Sequence, residues 1–292
     1  MTVFCLGSIN VDHFYRLASL PRAGETLSAR THVMGLGGKG VNQSIAALRA
    51  GARVVHIGAI GQGDHWVEGQ LTHHGVALDW IDRVPVATGH AIVAVDDAAE
   101  NQIIIYSGAN LEQSPDRIRQ ALGTAVRGDC ILIQNETSHQ VDAAKVAHAA
   151  GLRVFYSAAP FDLAALDAVL PYVTHLLVNA GEARQLVEAT GKALADLPVE
   201  AVIVTHGARG AEWIAHGANP VFVPAFKVAP VDTTGAGDCF AGNLAAGLDL
   251  GMTALESMVL ASAAAALQVT RPGAADAMPG RDEVAEFIAR QT

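Results

Sequence analysis

Cysteine, aromatic residues and positive charge are all scarce in this chain. Of its 292 residues three are cysteine, 5% are aromatic and 16% are charged, with 19 basic residues against 29 acidic for a formal net charge of −10. Cys5, Cys130 and Cys239 lie far apart without CxxC or CxxH spacing, which argues against a disulfide framework or a structural zinc site and suits a reducing cytosol. No Lys/Arg run supplies the basic face that a phosphate backbone rewards, so no nucleic-acid partner is expected. Long apolar runs are missing too. Met258 to Val269 is the longest weakly polar stretch, yet it contains Ser262 and Gln268 and falls short of the roughly 20 residues a bilayer requires. The opening Met1-Thr2-Val3-Phe4-Cys5 has no basic segment and reaches Asp12 quickly, unlike a signal peptide, so a cytoplasmic chain with no membrane partner is expected.

What is present is enough apolar residue, 51%, to bury a sizeable core. From about residue 128, β-rich runs (130–134, 153–156, 175–178, 201–204) alternate with helical patterns (138–150, 163–170, 182–190). Near-continuous apolar strands separated by helices predict an α/β fold with a mostly parallel sheet covered on both faces. The first third differs. Val3 to Gly7 reads as a strand and Gly40 to Ala50 as a helix, but Phe14 to Leu17, Leu27 to Met34, and a hairpin of Gly89 to Val95 with Gln102 to Tyr106 about the turn Asp96 to Asn101 lack intervening helices. They predict a small β element apart from the main sheet. The last third is helical over 235–250, 253–270 and 281–290, and no repeat or linker divides the chain.

Asp232-Thr233-Thr234-Gly235-Ala236-Gly237-Asp238 precedes a helical run. Small residues before a helix let main-chain N–H groups converge on an anion, where the helix dipole adds to them. A carboxylate at the lip of such a cradle would repel phosphate unless it had a task, and accepting a proton from an attacking hydroxyl is one. The structural alternative makes Asp238 a helix cap and the glycines a turn. Gly35, Gly37 and Gly40 also match GxGxxG, which raises a dinucleotide site, but a β insertion precedes the match and the strand Arg53 to Ile60 ends without an acidic residue for a ribose. Asn10 and Asp12 follow the first strand, where a carboxylate and an amide grip vicinal hydroxyls or simply form a turn. His73-His74 is expected to be a solvated helix end, Cys239 a small packing residue, and Ser114 an N-cap before Pro115.

Gly7 to Asp12, Pro21 to Thr26, Gly37 to Gln43, Ser107 to Asn110, the 232–238 heptapeptide and Val269 to Ala274, in that order over nearly the whole chain, resemble the ribokinase-like carbohydrate kinase family, its ribose-phosphorylating members in particular. The resemblance implies one kinase domain over 1–292 with a β-sheet lid from insertions at about 12–34 and 87–107, often pairing with a second subunit as a homodimer. It implies ATP-dependent phosphoryl transfer to a sugar hydroxymethyl, the 5-hydroxyl of D-ribose in the nearest case. Asp238 would be the base, and the N–H groups of Gly235, Ala236 and Gly237 the anion hole. Sugar contacts carried over are Asn10, Asp12, Gly38, Lys39, Asn42 and Glu136. Nucleotide contacts are Asn179, Thr205, Gly207, Gly210, Gly237 and Ser262. Glu182 would be linked to Mg2+, although a helix start explains Asn179-Ala180-Gly181-Glu182 equally, and K+ would sit among Asp232, Thr234, Gln268, Arg271 and Gly273. Two positions depart from the pattern: Ala277 stands where a serine often contributes oxygen, and Ser157-Ala158-Ala159-Pro160 replaces Asn-Pro-Ala-Pro. Ile103 and Ile105 face either sugar or partner, or pack in a sheet core. Fructose- or adenosine-type kinases, a dinucleotide-dependent oxidoreductase and a catalytically silent sugar-binding regulator are the rival functions.

Overall fold

The computed structural model describes residues 1–98 and 100–291; Ala99, within the expected Asp96 to Asn101 turn, and Thr292 lie outside the described residues. Thirteen strands and nine α-helices follow one another among the described residues. The strands are β1 (Thr2–Leu6), β2 (Asn10–Arg16), β3 (Thr31–Gly37), β4 (Arg53–Gly61), β5 (Ile81–Val84), β6 (Gly89–Val95), β7 (Asn101–Tyr106), β8 (Cys130–Gln134), β9 (Arg153–Ser157), β10 (His175–Asn179), β11 (Ala201–Thr205), β12 (Gly210–Ala215) and β13 (Val221–Pro224). The helices are α1 (Lys39–Arg49), α2 (His65–His73), α3 (Pro115–Leu122), α4 (Gln140–Ala149), α5 (Leu163–Val169), α6 (Ala180–Thr190), α7 (Ala236–Asp249), α8 (Ala254–Gln268) and α9 (Arg281–Gln291).

Nine strands form the main sheet in the order β13-β12-β11-β10-β9-β8-β1-β4-β5, all running the same way except β12, which pairs antiparallel with both β11 and β13. Side chains alternate across it. Phe4 and Leu6 of β1 join Ile131, Val154 and Leu176 in a core with Ala143 and Ala147 of α4, while Val3 and Cys5 join Leu132, Phe155 and Ile203 on the other face against Phe240 and Leu244 of α7. Burial on both faces is why these strands read as unbroken apolar runs. The parallel strands end on one edge, at Leu6, Gln134, Ser157, Asn179 and Thr205, where open α/β sheets present their ligand loops.

Small residues let the helices approach closely on the α7 side. A Cβ on Gly242 would lie 2.7 Å from the Ala46 methyl, and one on Gly247 2.8 Å from Ser257 Oγ. Ser114 caps α3 through the Arg117 N–H, with Pro115 at its first position as expected. No helix among the described residues is long and apolar enough to cross a membrane.

The second sheet has the order β3-β2-β6-β7. β2 is longer and starts earlier than the sequence suggested, because Asn10 and Asp12 continue the strand instead of forming a turn, whereas β3 starts and ends later; the two pair from Asn10↔Gly37 to Arg16↔Thr31. Leu27 to Arg30 is not strand. Asp12, Ala91 and Ile105 are register partners on one face; His13, Ile92 and Ile104 are partners on the other. Core packing does not describe β7: Ile103, Ile104 and Ile105 are 54, 66 and 65% exposed, since among the described residues no layer covers this edge of the sheet. His74 is also a correction. It is buried, with Nδ1 3.1 Å from Arg49 Nη2 and Nε2 3.2 Å from Asp276 Oδ1, because the end of α2 docks on α1 and the 274–278 turn.

Candidate active site

Three elements meet above the carboxyl edge of the sheet: the β1–β2 connection, the start of α1 and the start of α7. Gly40 permits the first contact, since a Cβ there would lie 2.5 Å from Ser8 N. Gly38 precedes α1 with φ near +100°, a conformation that side-chain-bearing residues resist, and a Cβ on it would lie 2.7 Å from Ser8 O. Lys39 is thereby set at the first position of α1.

Glu136 organises this corner. Its Oε2 accepts from Ser8 Oγ at 2.5 Å and from the Lys39 N–H at 3.3 Å, and its Oε1 lies 3.3 Å from Lys39 Nζ. Burial opposes the charge on Lys39, but Glu136 and Asp238 outweigh it and raise the pKa. Asp12 sits in the same field. Burial, with repulsion from Glu136, pushes its carboxyl up to about 6 against the pull of Lys39. Asn10 Oδ1 accepts from Asn110 Nδ2 at 2.8 Å, and Asn110 Oδ1 accepts the Ile9 N–H at 2.9 Å.

Asp238 occupies the first turn of α7 but caps nothing. Its Oδ2 accepts from Asn42 Nδ2 at 3.1 Å and its Oδ1 from Gln43 Nε2 at 3.0 Å, while Gln43 Oε1 accepts from Gln134 Nε2 at 2.7 Å. Burial pushes the Asp238 pKa up to about 6, against Lys39 and the two amides, which favour the anion. Asn42 Oδ1 is buried without a protein partner, an unfilled acceptor beside the carboxylate.

Gly235, with φ +78°, precedes α7. Of the three N–H groups expected to form an anion hole, that of Ala236 closes the turn on Thr233 O at 3.2 Å; among the described residues those of Gly235 and Gly237 have no protein acceptor. Two open donors at a helix N-terminus attract an anion, and a carboxyl titrating near neutrality beside them is fit to take a proton. Asp238, Lys39, Ser157, Asn179 and Glu182 line a cavity of about 200 Å³ here. It shares Thr205, Thr233 and Gly237 with a larger, mostly apolar one of about 440 Å³, which also takes in Gly207, Gly210, Phe226 and Ser262.

Asn179 and Glu182 form a reciprocal helix cap: Asn179 Oδ1 accepts the N–H groups of Gly181 (2.8 Å) and Glu182 (2.9 Å), and Glu182 Oε2 accepts that of Asn179 (2.7 Å). Burial raises the Glu182 pKa. Asp232 holds two turns together, its Oδ1 accepting the Thr234 N–H at 2.9 Å and its Oδ2 the Gly273 N–H at 3.0 Å, and these bonds outweigh burial to lower its pKa. Arg271 pairs with Glu283. Gly35 and Gly37 belong to β3, so the GxGxxG match is not a turn between a first strand and its helix. Cys239 is fully buried and its thiol is pushed up by that burial, as a packing residue requires. Gln43, Gln134, Ser8 and Asn110 are the residues that local sequence reasoning did not single out.

The sequence and the fold have counterparts among known proteins. Ribokinases of Haemophilus influenzae and Bacillus subtilis are 32% and 33% identical over 304 and 293 residues, covering 98% and 97% of this chain and 98% of each relative. The structure of Arabidopsis thaliana ribokinase complexed with ribose and ATP matches with a TM-score of 0.85 at 28% identity, covering 98% of both chains. The model of the pfkB family of carbohydrate kinases matches residues 2–281, and the chain belongs to that family.

Proposed function

We propose that the protein transfers the γ-phosphoryl group of ATP to the 5-hydroxyl of D-ribose. The observation that carries this reading is Asp238, a carboxyl poised near neutrality between an unfilled acceptor, Asn42 Oδ1, and two unoccupied N–H groups of the α7 turn. The sugar hydroxyls are held by Asn10, Asp12, Asn42, Glu136 and the Gly38-Lys39 main chain. Asp238 accepts the proton of the attacking hydroxyl as the phosphorus–oxygen bond to ADP breaks and the new one to the sugar forms. Charge on the transferring group is met by the Gly235 and Gly237 N–H groups, the α7 dipole and Lys39, which is the positioning and electrostatic support phosphoryl transfer requires. The apolar cavity bounded by Thr205, Gly207, Gly210 and Ser262 suits the adenosine moiety, with Asn179 beside the phosphates.

Glu182 spends one oxygen on its helix cap and keeps the other, and one carboxylate together with ATP phosphates suits magnesium, which retains most of its waters. Bound there, magnesium neutralises triphosphate charge. For potassium, by contrast, the oxygen set is already bridged by the Gln268 amide, and no step is assigned to it. The second sheet acts as a lid that excludes competing water, with the Asp12 face over the sugar and the Ile104 face against a second copy of the chain. Buried free thiols suit a cytoplasmic setting.

The relatives named as ribokinases support ribose among possible acceptors. ADP release with ATP, magnesium and a panel of ribose, 2-deoxyribose, fructose and adenosine tests the reading, and the highest kcat/KM is expected for ribose. A higher value for another acceptor overturns the sugar assignment; sugar binding without ADP overturns the kinase.

A further inference from the structure

The turn that leads into α7 and the turn that follows α8 are tied together by a side chain. Gln268, the last residue of α8 and fully buried, donates through Nε2 to Thr234 O at 2.7 Å and to Gly273 O at 3.1 Å. The two turns are joined a second time through Asp232, both of whose carboxylate oxygens hold main-chain N–H groups, one from each turn. Gln268 O itself accepts the Arg271 N–H at 3.1 Å. Of the five residues to which the family resemblance assigns a monovalent cation, Thr234 and Gly273 therefore meet at the side-chain amide of a third, Gln268.

A hard monovalent cation requires several oxygens converging on a space free of donors. Here an NH2 group stands between two of the oxygens, and the carboxylate that would add the negative charge is already engaged twice. The orientation of the amide follows from its partners. Two hydrogens match two carbonyl acceptors, whereas the reversed amide would set Oε1 against both carbonyl oxygens. Oε1 is left buried without a partner, so the pair of carbonyl bonds is what holds the side chain. Ala277, also buried, offers no side-chain oxygen. The donor set does not fit the ion.

We infer that the Gln268 amide takes the place of a monovalent cation, clamping the 232–238 turn to the 270–273 turn so that the anion-binding N–H groups are preset without potassium. The inference rests on the reading of the 232–238 turn as the phosphate-binding element of a kinase. A covalently attached dipole is always in place, so catalysis is decoupled from the concentration of the ion.

The test compares KCl with choline chloride at equal ionic strength, following ribose-dependent ADP formation, the thermal midpoint, and potassium-displaceable thallium(I) binding by NMR. For the wild type the rate is expected to change less than about twofold and the midpoint not at all, because an ion that does not bind the native state cannot stabilise it. Gln268→Ala opens the space and Gln268→Glu presents a third oxygen there. Both are expected to acquire thallium binding and a potassium-dependent midpoint, and Gln268→Ala to run about tenfold faster in potassium than in choline. Potassium-displaceable thallium binding or several-fold potassium activation in the wild type overturns the inference. So does indifference to potassium in both variants, since the amide then fills no ion's place. The midpoint and thallium readings need no turnover, so a failure of the ribose assignment is seen separately, as absent ADP formation.

Discussion

Replacing Gln43 by leucine isolates the base. In the wild type Asp238 shares its charge between Asn42 and Gln43, and Gln134 fixes Gln43 from behind. Leucine keeps much of the volume and removes one N–H from the carboxylate. A hydrogen bond to a charged group contributes about 1.5 to 3 kcal/mol and one pKa unit corresponds to about 1.36 kcal/mol, so with Lys39 and Asn42 still in place the upward shift is about one unit. It starts from a value of about 6. The sign follows from the role: a base works ionised and loses activity as pH falls through its pKa, so a raised pKa moves the acid limb of kcat to higher pH. At the pH where the wild type runs at half its maximum the variant is expected to run at about a fifth of wild type, while on the alkaline plateau the two agree within about threefold. Steady-state rates are read at saturating sugar, because Asp12, also raised to about 6, would otherwise enter through KM. Stranding the Gln134 amide lowers the thermal midpoint but leaves the limb where it is. A uniform loss at every pH, with the acid limb unmoved, would refute the assignment of Asp238 as base and of Gln43 as the residue that positions it.

Asp238→Asn is expected to lower kcat by about 10² to 10⁴ while calorimetric ribose affinity stays within about threefold; near-normal turnover removes Asp238 from the chemistry. Asn110→Ala frees Asn10 and the Ile9 N–H, and the loss of one well-aimed hydrogen bond is expected to raise the ribose KM about tenfold with kcat nearly constant, whereas an unchanged KM excludes Asn10 as a sugar contact. Light scattering on Ile104→Asp is expected to find a monomer where the wild type is a dimer, since a charge replaces an exposed apolar residue on the face opposite Asp12; a monomeric wild type refutes the pairing.

The parts of this fold that could be read from the sequence are those with local causes. Cys130 to Ile133 is apolar throughout because both faces of β8 are covered, and Ser114-Pro115 announces α3 because capping chemistry lies within one turn. The 232–238 turn is legible for the same reason, glycine and acid being adjacent in the chain. The partners of Asp238 are not. Gln43 lies 195 positions from Asp238, and Gln134, between them in the chain, lies 91 from Gln43, so nothing in the neighbourhood of any of them signals the contact. His74 and the β7 isoleucines show opposite limits of a local pattern: polarity suggested solvent where a neighbouring helix end covers the ring, and alternation left Ile103 and Ile105 between a face toward sugar or partner and core packing, of which their exposure excludes the second.

Two motif residues also show that a structural role and a chemical one need not compete. The cap formed by Asn179 and Glu182 uses one oxygen of each side chain, and in doing so fixes the carboxylate at the wall of the smaller cavity. Lys39 argues more strongly for function, because its position is unfavourable on local grounds. A cation at the first position of a helix faces the positive end of the dipole, at a cost of about 0.3 to 1 kcal/mol. An uncharged residue would serve α1 better. The surrounding carboxylates, Glu136 in contact and Asp238 nearby, offset that cost and keep the ammonium charged in a half-buried site. A charge held against the helix field, beside a carboxyl raised to about 6 and two unoccupied N–H groups, is an arrangement that suits a negatively charged ligand.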